Sequence, residues 1–255
     1  MANVLLGAPC GTGPAWSPKT AIAIVQSSKN HTVSLVASIG SWSNFDILWS
    51  MALNKGRLKE IDYFVMLHGD IELQPGWVDT LIEVIEEKQA DLVSAIVPQK
   101  AVSGITSSGI GDPSDPWQPH KRFTMNEVWA EGAPETFDAD DCGYPGKYIL
   151  HNNGCWIARL SCEKFYATEI RDGREFALCC FDFPRSIQVI DGEYAARGES
   201  EDWFFSRKIH ELGVKSYITR KLALSHVGSI EFQNDHAWGS EQVDEATKEK
   251  WGKAI

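Results

Sequence analysis

The sequence lacks any long hydrophobic run. None of its apolar stretches approaches the roughly 18 to 20 residues that a helix needs to cross a lipid bilayer. The first ten residues, MANVLLGAPC, include no basic leader, and their apolar stretch is too short for a signal peptide. We therefore expect a cytoplasmic protein without membrane insertion.

Cysteine pairs are also missing. The six cysteines form no Cys-x-x-Cys motif and have no spacing typical of a disulfide framework. In a chain of 255 residues they are expected to be reduced thiols, which again indicates a cytoplasmic protein.

Positive charge is scarce in this chain. It has 24 Lys and Arg residues against 35 Asp and Glu residues, so its formal net charge is −11. Sequence-independent affinity for nucleic acid comes mainly from cationic contacts to phosphate, and this balance therefore argues against tight binding of that kind. The remaining composition, 43% hydrophobic and 23% charged residues, is that of an ordinary globular protein.

The first hundred residues alternate between strand and helix patterns. Continuously apolar strands separated by amphipathic helices predict an α/β fold, with a parallel sheet covered by helices on both faces. Ligands bind beyond the carboxyl ends of the strands in such sheets, so the polar clusters at residues 9–13 and 68–70 are expected to share one crevice. The predicted strands span residues 3–6, 32–39, 63–67 and 91–97, and the predicted helices span 19–28 and 44–58, with a third opened by Pro75-Gly76-Trp77.

The pattern changes after Pro98. Residues 100–147 are rich in Gly, Pro, Ser and acidic residues, and only residues 127–131 have a strand pattern, so this stretch is expected to build a binding surface. Strands are then predicted at 148–150 and 155–160, a helix at 161–170, a helix opened by Ser200-Glu201-Asp202, and a last strand within 214–225 that ends at His226. We expect one domain with two halves, residues 1–99 and 100–228, and a C-terminal lid or tail at 229–255.

Four motifs in this order resemble a known enzyme family. They are Ala8-Pro9 after the first strand, His68-Gly69-Asp70 with the following Pro75-Gly76-Trp77 helix, Asn152-Asn153-Gly154-Cys155-Trp156, and Glu199-Ser200-Glu201-Asp202-Trp203 followed by His226. Together they resemble a family-2-like glycosyltransferase of the GT-A fold over nearly the whole chain. The resemblance implies that residues 1–99 bind a nucleotide sugar, expected to be a UDP sugar. It also implies metal-dependent transfer of that sugar to an acceptor hydroxyl on a glycan, a metabolite or a modified DNA base.

The resemblance implies a divalent cation, Mn²⁺ or Mg²⁺, that holds the donor diphosphate. The usual Asp-x-Asp turn is His68-Gly69-Asp70 here, so Asp70 is the expected ligand and His68 replaces the first acid. Imidazole tolerates Mn²⁺ better than Mg²⁺, and His68 can alternatively face the ribose or a water molecule. His226, at the end of the last strand, is expected to be a further ligand. Alternatively, residues 68–70 form an ordinary polar turn, and His226 is a buried histidine that caps the end of its strand.

Asp202 matches the position of the catalytic base in inverting members of the family, with Glu201 beside it. An acceptor hydroxyl must lose its proton as it attacks the anomeric carbon, and a carboxylate is suited to take it. The alternative is structural, because acidic residues in a first helical turn favour the helix dipole and Ser200 is a natural N-cap. A retaining enzyme would lack such a base, and the stereochemistry stays open.

Further donor and acceptor contacts are implied by similarity. Ala8, Pro9 and Cys10 would cradle the nucleotide base and ribose. Trp156 is counted among the donor-binding residues and, with Trp203, flanks the expected acceptor site, because indole rings stack well on sugar rings. Lys100, Arg197 and Lys221 are candidates to face the diphosphate, but single basic residues are commonly solvated, and we assign them no role.

Two other classes of function are weighed against this interpretation. A nucleotide-dependent oxidoreductase shares the early strand–helix pattern, but the segment GTGPAW at residues 11–16 has Trp where the dinucleotide fingerprint needs its third Gly. A non-catalytic GT-A-like domain that binds a glycan or a partner protein is the other alternative, motivated by the histidine at position 68.

Overall fold

A computed structural model describes residues 1–10, 16–39, 43–228 and 230–241. Within these ranges the α-helices are α1 (Pro18–Val25), α2 (Asn44–Arg57), α3 (Trp77–Glu87), α4 (Met125–Val128) and α5 (Glu201–Glu211), and a 3-10 helix spans Glu163–Tyr166. The strands are β1 (Asn3–Cys10), β2 (Thr32–Ile39), β3 (Tyr63–Leu67), β4 (Ile71–Leu73), β5 (Leu92–Ala95), β6 (Ile105–Gly111), β7 (Lys121–Thr124), β8 (Thr136–Phe137), β9 (Tyr148–Leu150), β10 (Cys155–Arg159), β11 (Thr168–Arg171), β12 (Arg174–Ala177), β13 (Arg185–Ile190), β14 (Glu193–Gly198), β15 (Ser216–Thr219), β16 (Leu224–Val227) and β17 (Glu231–Gln233).

A seven-stranded sheet in the order β2-β1-β3-β10-β5-β15-β8 forms the centre of the fold. Strand β1 pairs in parallel with β2 and β3, and β5 pairs in parallel with β15. Strand β10 runs antiparallel to both β3 and β5, and β8 is antiparallel to β15. Five strands therefore run in one direction and two in the other, which confirms the predicted α/β fold with a mostly parallel sheet.

Hydrophobic cores cover both faces of this sheet. On one face, Val4 and Leu6 of β1 pack in a cluster with Trp77 of α3. On the other, Leu5 packs with Trp49 of α2 and Phe205 of α5. This alternation follows from the strand geometry, because successive side chains point to opposite faces.

Helix α3 buries the apolar stripe from which it was predicted. Its buried residues include the predicted stripe Val78, Leu81, Ile82 and Ile85, and Gly76 caps its start with a φ of 80°. Helix α5 ends where Gly213 adopts a φ of 68°, a left-handed conformation that glycine adopts without strain.

Strand β1 is longer than predicted. It continues through Gly7 and Pro9 to Cys10, because its pairing with β2 extends over all eight residues. Its pairing with β3 stops at Gly7, so Pro9 lies beyond the part of β1 that has neighbours on both sides. A proline is tolerated in such an edge position because its missing N–H removes no ladder bond there.

The second half contains more strand than the sequence pattern predicted. Residues 127–131 were expected to form a strand, but Glu127 lies in helix α4, where a capping box with Thr124 fixes the first turn. Residues 161–170 were expected to form a helix, and they form the 3-10 helix and the start of β11 instead. Strands β6, β7 and β9 form a small sheet over a third cluster around Ile110 and Phe123.

The described part of the predicted lid is anchored to the rest of the chain. Asn234 is buried, and its side-chain amide donates to the carbonyl oxygens of Ile96 and Leu222 at 2.9 and 3.0 Å. A Cβ on Gly104 would lie 2.3 Å from the carbonyl oxygen of Trp238, so the two segments are in close backbone contact. Residues 230–241 are therefore packed against the rest of the chain, and the predicted lid stays a prediction, since residues 229 and 242–255 lie outside the described residues.

No helix in the described ranges is long and apolar enough to cross a membrane.

Candidate functional site

Asp70 and His226 meet at one edge of the sheet. Asp70 follows β3, and His226 lies in β16, which pairs antiparallel with β4 through His226 and Ile71. The Asp70 carbonyl oxygen accepts a hydrogen bond from the Val227 N–H at 2.8 Å. The two predicted metal ligands are far apart in the sequence, and this backbone pairing brings them together.

The imidazole of His226 is fixed by a backbone carbonyl. Its Nδ1 lies 2.8 Å from the Pro98 carbonyl oxygen, which can only accept, so Nδ1 carries the proton. The other nitrogen, Nε2, lies 3.4 Å from Oδ2 of Asp70. A histidine held in this way by a carbonyl presents the lone pair of its second nitrogen, which is the arrangement found in metal-binding histidines.

Asp70 is ionised and partly paired. Burial alone would raise the pKa of its carboxyl group, but the neighbouring His226 and Lys100 side chains outweigh burial and hold that pKa well below its ordinary value. The Lys100 ammonium lies 2.6 Å from Oδ2, whereas the other oxygen, Oδ1, is buried and has no hydrogen-bond partner. Lys100, which the sequence offered as a candidate to face the diphosphate without assigning it a role, thus adds a positive charge to this site.

His68 is a neutral side chain at the same edge. Burial lowers the pKa of its imidazole to about 4, and its Nε2 has no hydrogen-bond partner. Its ring lies 5.4 Å from the ring of Phe45, centroid to centroid. A neutral imidazole can bind a cation or accept a hydrogen bond, so both roles considered for His68 remain chemically open to it.

The donor set of the site suits a hard divalent cation only in part. Within the described ranges, no three side chains of His, Cys, Asp and Glu are gathered as a ready metal site. Asp70 and His226 together offer one carboxylate and one imidazole nitrogen, and the unpartnered Oδ1 of Asp70 is a free oxygen ligand. These donors fit Mn²⁺ or Mg²⁺ when a ligand's phosphates or water supply the other positions.

A short segment, residues 151–154, connects this site to helix α5. The His68 N–H donates to the Gly154 carbonyl oxygen at 2.9 Å. At the other end of the segment, the His151 N–H donates to Oγ of Ser206 at 2.8 Å, and that hydroxyl donates to the Asp202 carbonyl oxygen at 2.6 Å. The structure therefore places the Asp70 site and the start of α5 on either side of this segment.

Asn153 lies in the middle of this segment. Its side chain is only 4% exposed, and its Nδ2 has no hydrogen-bond partner. Buried amide donors are nearly always satisfied in folded proteins, so an unpaired one beside a candidate site is available to donate to a ligand or a water molecule. The sequence pointed to Asn153 only as part of a motif. The side-chain amide of the neighbouring Asn152 does have a partner, because its Nδ2 donates to the Ala95 carbonyl oxygen at 2.6 Å.

Glu201 and Asp202 lie in the first turn of α5. Ser200 occupies the N-cap position as predicted, but its hydroxyl makes no capping bond to the helix backbone and instead donates to the Asp202 carboxylate. Burial raises the pKa of Asp202, although Ser200 and the charge of Arg122 act in the opposite direction. Burial, followed by the charge of Asp202, also raises the pKa of Glu201. A helix N-terminus alone would lower these values, so the environment makes Asp202 a better base than its position suggests.

Trp156 is placed in the core rather than in a binding cleft. Its side chain is 1% exposed and makes edge-on contact with Trp49 and Phe64. The Trp156 ring is packed in the core and its buried Nε1 has no hydrogen-bond partner, and the expected contact with the donor or the acceptor stays a prediction. Trp203 is only partly buried, and the Arg122 guanidinium lies 4.9 Å from its ring centroid.

The predicted nucleotide-base cradle is only partly described. The side chains of Ala8 and Cys10 are buried, so they can offer a ligand little beyond their backbone atoms, and Pro9 is half-buried. The Cys10 carbonyl oxygen already accepts a hydrogen bond from Asn44 at 2.9 Å. Residues 11–15, which complete the predicted cluster at 9–13, lie outside the described residues.

Comparisons with known proteins support the fold only. No protein-family model matches the chain, and no curated protein matches it. Among solved structures, the chain is similar to the crystal structure of A197 from STIV, with 13% identity, a TM-score of 0.50, and coverage of 95% of this chain and 97% of that chain. A second similar structure, CMP:2-keto-3-deoxy-manno-octonic acid synthetase complexed with CTP, has 9% identity, a TM-score of 0.38, and coverage of 85% and 89%. At 13% identity, the similarity to A197 shows the fold alone.

Proposed function

We propose that this protein is a metal-dependent glycosyltransferase that uses a nucleotide sugar, with a UDP sugar as the expected donor. The observation that carries the proposal is the meeting of Asp70 and His226 at 3.4 Å, with the imidazole of His226 fixed by Pro98 and one Asp70 oxygen left without a partner. This edge of an α/β sheet is where such folds bind their ligands.

In the proposed site, Asp70 and His226 would hold Mn²⁺ or Mg²⁺. The cation, when bound, would neutralise negative charge on the departing diphosphate. His68 and Asn153 each have a buried nitrogen without a partner, and we propose that these atoms bind oxygen atoms of the donor. Lys100, already 2.6 Å from Asp70, adds a second positive charge to the diphosphate site.

Asp202 is the proposed base for the transfer. As the acceptor oxygen forms its bond to the anomeric carbon, the bond from that carbon to the diphosphate oxygen breaks, and the acceptor proton passes to the Asp202 carboxylate. The Ser200 hydroxyl holds one oxygen of that carboxylate, and Arg122 provides a nearby positive charge. Glu201 is proposed to orient the acceptor, because adjacent helical residues point about 100° apart.

Calorimetry with UDP tests the donor and metal sites. We expect UDP to bind in MnCl₂ and to bind at least tenfold more weakly in EDTA, and we expect Asp70→Asn to cause the same loss. Asp62→Asn is the matched control, since Asp62 lies beside the opposite end of β3, where its Oδ2 accepts from the Asn3 N–H at 2.8 Å. Equal UDP affinity in MnCl₂ and EDTA would overturn the metal requirement.

The ion pair of Lys100 with Asp70 supports a second candidate function. In a non-catalytic nucleotide-binding domain, the Lys100 ammonium would supply the positive charge that a metal supplies in the first proposal. This candidate predicts UDP binding that persists in EDTA, is lost in Lys100→Gln, and is accompanied by no release of UDP from a UDP sugar.

A further inference from the structure

The β13–β14 hairpin is a two-stranded sheet with free edges. Within the described ranges, β13 and β14 pair only with each other. They are joined by Asp191-Gly192, whose φ angles of 53° and 85° are both positive, as in the tight turn that suits a two-residue hairpin loop. A hairpin of this kind is marginally stable alone in water, and the free edge of a strand can pair with a strand of another chain.

The hydrogen bonds of the hairpin determine which backbone groups of β14 face away from β13. The Glu199 N–H donates to the Pro184 carbonyl oxygen at 3.0 Å, just beyond the two paired strands. Hydrogen-bonded and non-hydrogen-bonded pairs alternate along an antiparallel ladder, so every second residue of β14 bonds to β13. Tyr194 and Ala196 lie between the bonded positions. Their N–H and C=O groups therefore point to the free edge, where no other described strand pairs with them.

The sequence of β14 is complementary to itself when two copies run antiparallel. It reads Glu-Tyr-Ala-Ala-Arg from Glu193 to Arg197. Pairing of two copies about Ala195 puts Glu193 of each copy directly opposite the partner's Arg197, and Tyr194 opposite the partner's Ala196. The same register brings together the backbone groups that point to the free edge. Opposite charges that face each other across two strands stabilise their pairing, and like charges destabilise it.

The two charged side chains of β14 are available for this contact. Neither Glu193 nor Arg197 has an ion pair with another described residue, and Nε of Arg197 is buried without a hydrogen-bond partner. They lie four residues apart on one strand, which is about 13 Å, so they cannot pair within one copy. Two copies of a chain with a net charge of −11 repel each other, and their association needs a local attraction of this kind.

The apolar face of the hairpin fits the same register. Ile187, Val189 and Tyr194 share this face and are 75%, 63% and 84% exposed. In the pairing about Ala195, the Tyr194 ring of each copy lies beside the small side chain of the partner's Ala196. It extends toward the partner's Ile187, which is directly opposite Ala196 in the hairpin. Exposed apolar side chains that are grouped in this way are typical of surfaces that contact another protein.

We propose that this protein forms a two-fold symmetric dimer in which the β14 strands of two copies pair antiparallel about Ala195. The two hairpins then form one four-stranded sheet, and the symmetry makes each Glu193–Arg197 contact occur twice. Five residues of each copy form a short interface, so the dimer is reversible and depends on protein concentration. This inference concerns the assembly of the chain; it goes beyond the proposed glycosyltransferase function and does not depend on it.

Exchange of the two charges tests the dimer and its register. Sedimentation equilibrium of the full wild-type chain at about 1–200 µM should show a monomer–dimer equilibrium. Glu193→Arg makes Arg face Arg twice and Arg197→Glu makes Glu face Glu twice, so each variant should dimerise at least tenfold more weakly. An equimolar mixture of the two variants should dimerise again, because opposite charges face each other in the mixed dimer. This recovery also shows that both variants are folded.

Two further variants complete the test. Arg174→Glu is the matched control, because Arg174 is exposed in β12 of the other hairpin and its substitution changes the net charge as much as Arg197→Glu does. It should leave the dimer unchanged. Ala196→Pro removes an N–H that the hairpin itself does not use and that the partner strand needs, so this variant should be monomeric without any change in charge.

Several outcomes would overturn the proposal. They include a wild-type chain that is monomeric throughout the concentration range, and a dimer that persists in both charge variants. A mixture of the two charge variants that stays monomeric would exclude the register, and an equal loss of dimer in Arg174→Glu would attribute the effect to net charge. A dimer that is lost in Ile187→Ser but unchanged in Glu193→Arg would place the contact on the apolar face of the hairpin instead of its edge.

Discussion

At the scale of single residues, two groups of side chains define the candidate site. Asp70 and His226 form a polar pair whose geometry is fixed by backbone contacts, and Asp202 is a carboxylate whose pKa is raised by burial. Burial raises the pKa of both carboxyl groups, but neighbouring side chains outweigh it at Asp70, whereas burial dominates at Asp202. The Lys100 ammonium and the His226 imidazole keep Asp70 ionised, which suits a ligand for a cation, whereas burial adjusts Asp202 toward taking up a proton.

Asp202→Asn is expected to separate catalysis from stability. The variant keeps the side-chain oxygen that accepts from Ser200 and the Trp203 N–H but loses the basic oxygen, so turnover should fall by roughly 10²-fold or more while UDP affinity changes little. UDP release from a UDP sugar measures the first effect, and calorimetry measures the second. Glu201→Gln should lower turnover less; an equal loss in both variants would contradict the assignment of the base.

The same variant has a predicted effect on stability with a definite sign. Because the folded-state pKa of Asp202 is raised, the folded protein loses stability as pH rises from the unfolded-state pKa through the folded-state pKa. An amide side chain does not titrate, so Asp202→Asn should be more stable than wild-type protein at pH 7 and equally stable below about pH 4, near the ordinary pKa of Asp. Urea unfolding at the two pH values measures this difference. A variant that is less stable at pH 7 would contradict the raised pKa.

The stereochemistry of the product tests the role of Asp202 independently. Inversion at the anomeric carbon requires a base on the acceptor side, whereas retention does not require Asp202 to act as one. NMR of the anomeric proton distinguishes the two products. An α-linked product from an α-linked donor would end the assignment of Asp202 as the base.

At the scale of elements, strand β1 depends on a glycine at its centre. Gly7 is opposite Met66 in β3 and Val36 in β2, and a Cβ at this position would lie 2.7 Å from two ring atoms of Phe64. Phe64 is fully buried and makes contacts with Trp49 and Trp156, so its ring has little room to move.

Gly7→Ala is therefore expected to destabilise the fold by about 1–3 kcal/mol, the usual cost of overpacking a core. Gly198→Ala is the control, since it is also a strand glycine, but a Cβ there would meet nothing closer than 3.6 Å. Urea unfolding of the two variants gives both values. Equal stability of Gly7→Ala and wild-type protein would mean that the Phe64 ring moves aside at little cost.

The two hairpins, β11–β12 and β13–β14, are a second feature at this scale. Each pairs only with itself within the described ranges, and an isolated two-stranded hairpin is marginally stable in water. The apolar side chains Ile187, Val189 and Tyr194 of β13–β14 are exposed in the described structure.

At the scale of the whole molecule, the segment at residues 151–154 joins the proposed donor and acceptor sites. It accepts from His68 at one end and donates to Ser206 of α5 at the other. Hydrogen bonds at both ends of this backbone segment therefore link the proposed donor site to the Asp202 carbonyl oxygen.

Ser206→Ala tests this connection. Without the hydroxyl, the buried His151 N–H and the Asp202 carbonyl oxygen lose a partner, so stability should fall by about 1–3 kcal/mol. Turnover should fall more than UDP affinity, because the donor site itself is intact. Ser50→Ala in α2, whose exposed hydroxyl bonds the Ile47 carbonyl oxygen at 2.9 Å, is the control and should be close to neutral. Unchanged turnover in Ser206→Ala would show that the two sites are independent.

The sequence by itself determined the local elements of the first half. The strands at residues 32–39 and 63–67 were predicted with their observed bounds, and helix α2 ends one residue before its predicted end. These elements could be predicted because a buried strand or an amphipathic helix has a hydrophobic period that depends on near neighbours in the sequence. Asp70 was likewise identifiable as a polar residue at the end of a buried strand.

Only the tertiary structure decided which residues come together. The pairing of β16 with β4 places His226 beside Asp70, and the register of β13 with β14 places Ile187, Val189 and Tyr194 on one face of the hairpin. The packing of α2 and α5 on one face of the sheet buries Trp156. Contacts of this kind join residues that are distant in the chain, and local periodicity contains no information about them; the burial and partners that set the chemistry of each side chain follow from these contacts.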